Sequence, residues 1–118
     1  MIIWPDSSQS NVVYPGRQLL DAEAILGQLR HRLAGRVERA YTFGSINTGR
    51  FHPGSDVDLI LVCACPEPFH QRPQRFQDLY AIYPDLDILV YNPDELHRLL
   101  AEPVGFWKSV AQSMRAIL

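Results

Sequence analysis

The stretch from Val57 to Cys63 constrains the fold more than any other part of this chain. Every residue in it except Asp58 is apolar. With apolar residues at both parities, Val57, Leu59 and Leu61 share one strand face and Asp58, Ile60 and Val62 the other, so Asp56 to Cys63 reads as a buried strand. Aspartate is disfavoured in strands, yet two of them enter this one at i and i+2. The two-residue period puts the carboxylates of Asp56 and Asp58 on the same face, about 7 Å apart along the strand. Like charges that close repel, and each raises the other's pKa. The arrangement makes sense if a divalent cation sits between them. Magnesium takes one or two carboxylates together with substrate phosphates.

The surrounding pattern supplies a small sheet for this strand. Arg17 to Ala34 carries Leu19, Ala22, Ile25, Leu26, Leu29 and Leu33 at helical spacing, with Gly35 as the stop. Val37 to Phe43 alternates as a strand. A short helix and a loop follow Gly44-Ser45, with Gly49, Pro53 and Gly54 marking the loop. Pro73 is expected to open a helix with Phe76, Leu79, Tyr80 and Tyr83 on its apolar side, closed by Pro84. Asp85 to Tyr91 is a third strand. Asn92-Pro93-Asp94-Glu95 then starts a helix to about Ala101, with an Asn cap, Pro at the first position and Glu three residues after the cap. Pro103 is expected to open a last helix reaching the C-terminus. This order predicts an α/β (α+β) domain, a small mixed sheet flanked by helices in two or three layers. Residues 1–15 read as an extended leader and 16–118 as a single domain.

A third carboxylate sharpens the Asp56/Asp58 reading, since Asp-x-Asp alone often marks no more than the solvated start of a strand. Asp87 opens the apolar run Ile88-Leu89-Val90-Tyr91, and on a neighbouring strand it joins the same cluster. Asp85 shares its face and is the alternative third member, although it directly follows the break at Pro84. Three carboxylates on adjacent strands suit a two-metal site. Gly44-Ser45, between a strand and a helix start, forms a turn suited to phosphate. Free amides and the helix dipole favour an anion there, glycine permits close approach, and the hydroxyl adds a donor. A plain capped turn is the alternative for that pair taken alone.

Gly44-Ser45, Gly49 and Ser55-Asp56-Val57-Asp58-Leu59, with Asp87 on a later strand, resemble the signature of the polymerase-beta-like nucleotidyltransferase superfamily. The similarity is to the minimal nucleotidyltransferase (MNT-type) branch and spans about Val37 to Glu95. It implies that Gly44 and Ser45 hold the NTP phosphates, with Gly49 and Ser55 in the same motif. It implies that Asp56 and Asp58 ligate two Mg2+ ions, and that Asp87 completes the catalytic metal site and helps deprotonate an acceptor hydroxyl. The implied activity is transfer of an NMP, AMP from ATP, to an acceptor hydroxyl, with a HEPN-type toxin as protein partner and acceptor. Many minimal members carry a basic residue just before the second glycine. Thr48 stands there in this chain, and Arg50, just after Gly49, is the candidate replacement cation. His52 reads as a solvated loop histidine.

Composition sets limits on partners. The formal net charge is -2, so no bulk positive field recruits nucleic acid. No apolar run approaches a membrane span and the start carries no basic leader, so a cytoplasmic location is expected. Cys63 and Cys65 are expected to be reduced, because a bridge across that spacing is awkward in extended geometry. The last helix carries Val104, Trp107, Val110, Ala111, Met114 and Ile117 as a stripe. It is expected to pack on the domain's own sheet, with a homo-oligomer or partner surface as the second option. Two other functions compete with transfer. One is a non-catalytic antitoxin module that masks its HEPN-type partner. The other is a metal-dependent phosphodiesterase, against which the Gly44-Ser45 turn argues.

Overall fold

The computed structural model describes residues 22–52 and 54–118. The expected leader and the first turn of the expected first helix lie outside the described residues. The elements run α1 (Ala22–Leu33), β1 (Arg39–Phe43), a short 3-10 turn (Ser45–Asn47), β2 (Val57–Val62), a 3-10 segment (Phe69–Ala81), β3 (Leu86–Tyr91), α2 (Pro93–Ala101), α3 (Phe106–Ser113) and β4 (Arg115–Ala116). The sheet order is β3-β2-β1-β4, with β1 antiparallel to β2 and β4, and β2 parallel to β3. The sheet is therefore mixed, and β2 lies inside it.

Both faces of β2 are covered, as its composition requires. Val57, Leu59 and Leu61 pack with Ile25, Leu26, Leu29 and Leu33 of α1 and with Phe76 and Leu79 of the 3-10 segment. Ile60 and Val62 pack on the other face with Leu96 of α2 and Val110 of α3. Three layers result. Asp58 is the one β2 residue that is only partly buried.

Three elements differ from their expected form. The segment around Pro73 is a 3-10 run from Phe69, with Pro73 inside it and a kink at Phe76. Its buried residues are Arg72, Phe76 and Leu79, while Tyr80 faces outward at 39% exposure. The Arg72 guanidinium donates to the Glu67 and Val90 carbonyls and to Glu95, and Glu95 also accepts from the Asn92 amide in the capping box. The last helix ends at Ser113, because Met114 is extended and Arg115–Ala116 joins the sheet beside β1. The stripe is thereby divided. Trp107, Val110 and Met114 pack on the α2/α3 face, and Ile117 sits in the core of the opposite face. Third, the Cys63 and Cys65 sulfurs meet as a bridged pair, with Cα atoms 5.8 Å apart. Both cysteines are buried and the intervening Ala64 is exposed, so the two sulfurs lie on one side of the chain, just past the end of β2.

Among the described residues no helix is long and apolar enough to cross a membrane. On the outer surface, Arg36 and Arg32 both donate to the Asp78 carboxylate, tying the end of α1 to the 3-10 segment. The hydrogen bond from Arg36 leads the effects that hold the Asp78 carboxyl down at about 2. A depressed acid stabilises the fold above its unfolded pKa, and that contribution fades as pH falls from about 3.8 toward 2. The pair is partly exposed, so solvent screens it. Asp78→Asn should lower the urea midpoint slightly at pH 6, with the gap to wild type closing near the lower end of that window. An equal gap at both pH values would show that the ion pair contributes nothing.

Candidate active site

The sheet register assembles the site. Asp58 lies directly opposite Asp87 on β3 and opposite Phe43 on β1. Asp58, Asp87 and Phe43 therefore form one row across three strands on the α2/α3 face. Asp56, two residues before Asp58, precedes β2 and is exposed. The Asp58 carboxyl is pushed up, first by burial, then by the Asp87 charge and then by the Asp56 charge. Asp85 precedes β3 and exerts its charge on Tyr83. Of the two candidates for third carboxylate, it is Asp87 that faces Asp58. Among the described residues, no three His, Cys, Asp or Glu side chains close on one point tightly enough to hold a metal ion by themselves.

The turn after β1 brings Gly44 against the same carboxylate. Gly44 has φ 89° and ψ -153°, a backbone region open almost only to glycine. A Cβ at this position would lie 2.7 Å from Asp58 Oδ2. The backbone angle favours glycine there, and a Cβ would also push the end of the Asp58 side chain aside. Within the turn, the Asn47 amide donates to the Gly44 carbonyl and the Thr48 amide to the Ser45 carbonyl. The Ser45 and Ile46 amides precede these first turn donors. Thr48 Oγ1 also donates to the Ser45 carbonyl. Gly49 has φ 79° with open space where a Cβ would point, and Arg50 is exposed without a salt-bridge partner among the described residues.

Two bracing residues escaped the sequence reading. The Asn47 side-chain amide donates to the Thr42 carbonyl at 2.8 Å and to the Ser113 carbonyl at 2.9 Å, while its oxygen accepts from Thr42 Oγ1 at 2.8 Å. Thr42 is fully buried. One side chain thus joins the turn, β1 and the end of α3. On the other side, the buried Tyr83 hydroxyl donates to the Ser55 carbonyl at 2.5 Å. Ser55 Oγ accepts from the His52 amide, and the Ser55 amide donates to the His52 carbonyl. Ser55, expected in the phosphate motif, is therefore also a brace of the loop that enters Asp56. Asn47 sits where only a turn was legible, and Tyr83 showed only its apolar character. Neither has a spacing that announces a hydrogen bond.

A nucleotidyltransferase domain model matches residues 22–115. The chain belongs to the nucleotidyltransferase domain family. This nucleotidyltransferase domain also resembles solved structures. A Sulfolobus solfataricus protein provisionally assigned as a nucleotidyltransferase superposes with TM-score 0.50 at 21% identity, over 65% of this chain and 75% of that one. A toxin–antitoxin structure with AMP-PNP superposes with TM-score 0.52 at 21% identity, over 84% of this chain and 73% of that one. At these identities the likeness is one of fold, that of the polymerase-beta-like nucleotidyltransferase superfamily. No curated protein sequence matches.

Both positive-φ glycines of the motif should resist alanine. Gly49→Ala should cost about 1–3 kcal/mol of stability for its backbone angle alone. Gly44→Ala carries the same kind of penalty and pushes the end of the Asp58 side chain aside, so its loss in a denaturant melt should be at least as large. A markedly smaller loss for Gly44→Ala would mean that its backbone angle is not strained.

Proposed function

We propose that this nucleotidyltransferase domain transfers a nucleoside monophosphate, AMP from ATP, to an acceptor hydroxyl with two Mg2+ ions. The reading rests above all on the in-register pair Asp58 and Asp87 beside the Gly44 turn. The donor set fits magnesium. It consists of hard carboxylate oxygens, with Asp58 already raised by burial and then by the charges of Asp87 and Asp56, and magnesium needs only one or two of them when phosphates and water fill its other positions. Such ions would supply charge neutralisation of the triphosphate and polarisation of the reacting oxygens.

The chain's own residues have separable parts in this scheme. Asp56, Asp58 and Asp87 bind and align the metal-loaded triphosphate. The Gly44–Ser45 turn offers its leading amides and the Ser45 hydroxyl to the phosphates, with Gly49 shaping the turn and Ser55 holding the loop before Asp56. Arg50 stands in for the basic residue that Thr48 replaces. The acceptor oxygen attacks the α-phosphorus and its proton passes to Asp87. The bond from the α-phosphorus to the bridging oxygen breaks, and pyrophosphate leaves. The resemblance to the MNT-type branch and the toxin–antitoxin neighbour favour a protein partner, a HEPN-type toxin, as the acceptor, and a cytoplasmic setting.

Asp58→Asn and Asp87→Asn should each reduce magnesium-dependent ATP turnover by at least about a hundredfold, read as released pyrophosphate, because each removes charge from the aligned site. Both variants should remain folded, since amides relieve the repulsion. Wild-type protein that releases mononucleotide and no pyrophosphate would favour a phosphodiesterase. The non-catalytic masking role would stand instead if Asp58→Asn still neutralised the partner as well as wild type does.

A further inference from the structure

We infer that the exposed ring of Phe106 is the stacking surface for the nucleobase, so that the site takes its nucleotide by aromatic contact at one end and by carboxylates at the other. This rests on the nucleotidyltransferase reading above. The row Asp87, Asp58, Phe43 crosses the sheet in register. Directly opposed residues of an antiparallel pair hold their Cβ atoms about 5 Å apart, so the Phe43 ring borders Asp58. Phe106, the first residue of α3, meets Phe43 edge-to-face with centroids 5.8 Å apart. It is also fixed edge-to-face by Trp107 at 5.6 Å, and Trp107 in turn rests against Tyr91 at 5.4 Å. The Phe106 ring is thus held from two sides.

Nevertheless Phe106 is 56% exposed, among the most exposed large apolar residues of the described chain. A held but uncovered ring suits a flat π partner better than a core position does. Its location, one ring beyond the carboxylate row, is where a nucleotide with its phosphates at the Gly44–Ser45 turn can lay its base. No hydrogen-bonding side chain needs to read the base in such a contact, so recognition is by π area. Purine nucleotides, with the larger face, are the favoured class.

The test compares ATP with inorganic tripolyphosphate, which has the same charged end and no base. Both are titrated calorimetrically with magnesium into wild type, Phe106→Ala and Phe106→Trp. Phe106→Ala should weaken ATP binding by about tenfold or more, leave tripolyphosphate binding unchanged and narrow the preference for ATP over CTP. Phe106→Trp should retain ATP binding. If Phe106→Ala binds ATP as wild type does, or loses tripolyphosphate equally, the stacking assignment is overturned while the phosphate site stands. Wild type that binds neither ligand overturns the nucleotidyltransferase reading and this inference with it.

Discussion

The in-register pairing of Asp58 with Asp87 is the constraint around which this domain is arranged. Parallel pairing of β2 with β3 puts them side by side, and partial burial makes the charge on Asp58 harder to carry. A shift of one residue along β2 would turn Asp58 into the opposite core, among Leu29, Leu33 and Leu79, at a cost no such strand could carry. The apolar residues at both parities therefore do two things at once. They anchor β2 between layers, and they fix which way its single interior charge points.

Parallel pairing also dictates what lies between the strands. A parallel neighbour needs a crossover, and Phe69–Ala81 provides it while covering the α1 face. The antiparallel neighbour β1 needs none, so its end runs directly into the Gly44 turn beside Asp58. Asn47 then links that turn to the carbonyl of Ser113, where the chain leaves α3 and becomes β4. The C-terminal segment is consequently part of the site's support, because it seals the outer edge of β1 and completes the amide bonds that hold the turn. The Tyr83 bond to the Ser55 carbonyl does the same for the loop entering Asp56.

Much of this was legible in sequence for a physical reason. The Asp56/Asp58 spacing, the Asn92 capping box and the apolar alternation of β2 and β3 are local rules, and each of these elements formed within a residue or two of its expected bounds. Asp87 was legible because a charge in an apolar run is anomalous. The 3-10 character of Phe69–Ala81 was not, since Phe76 and Leu79 satisfy either helical period and only the layer they pack against decides between them. The end of α3 was hidden for a related reason. Met114 and Ile117 continue the helical stripe, but the open edge of β1 offers the Ala40 carbonyl to the Ile117 amide, and that ladder wins over one more helical turn. Tertiary competition, absent from any local pattern, accounts for each departure.

The braces differ from the carboxylates in what they ask of the fold. Asn47 and Tyr83 satisfy polar groups that would otherwise be buried without partners, so they contribute to stability and to site geometry together. Asp58 beside Asp87 works against stability, since either an amide or an apolar residue would sit there at lower electrostatic cost. A sequence selected for stability alone has no reason to keep that pair, or to keep a glycine at 44 whose space the carboxylate fills. The local conflict is confined to one row of one sheet face, and the rest of the chain, from the two covered faces of β2 to the sealed edge of β1, follows the ordinary rules of packing. Such confinement distinguishes this row from poor packing: the strain has a single chemical character, negative charge held close, which is what the proposed function would have a bound cation neutralise.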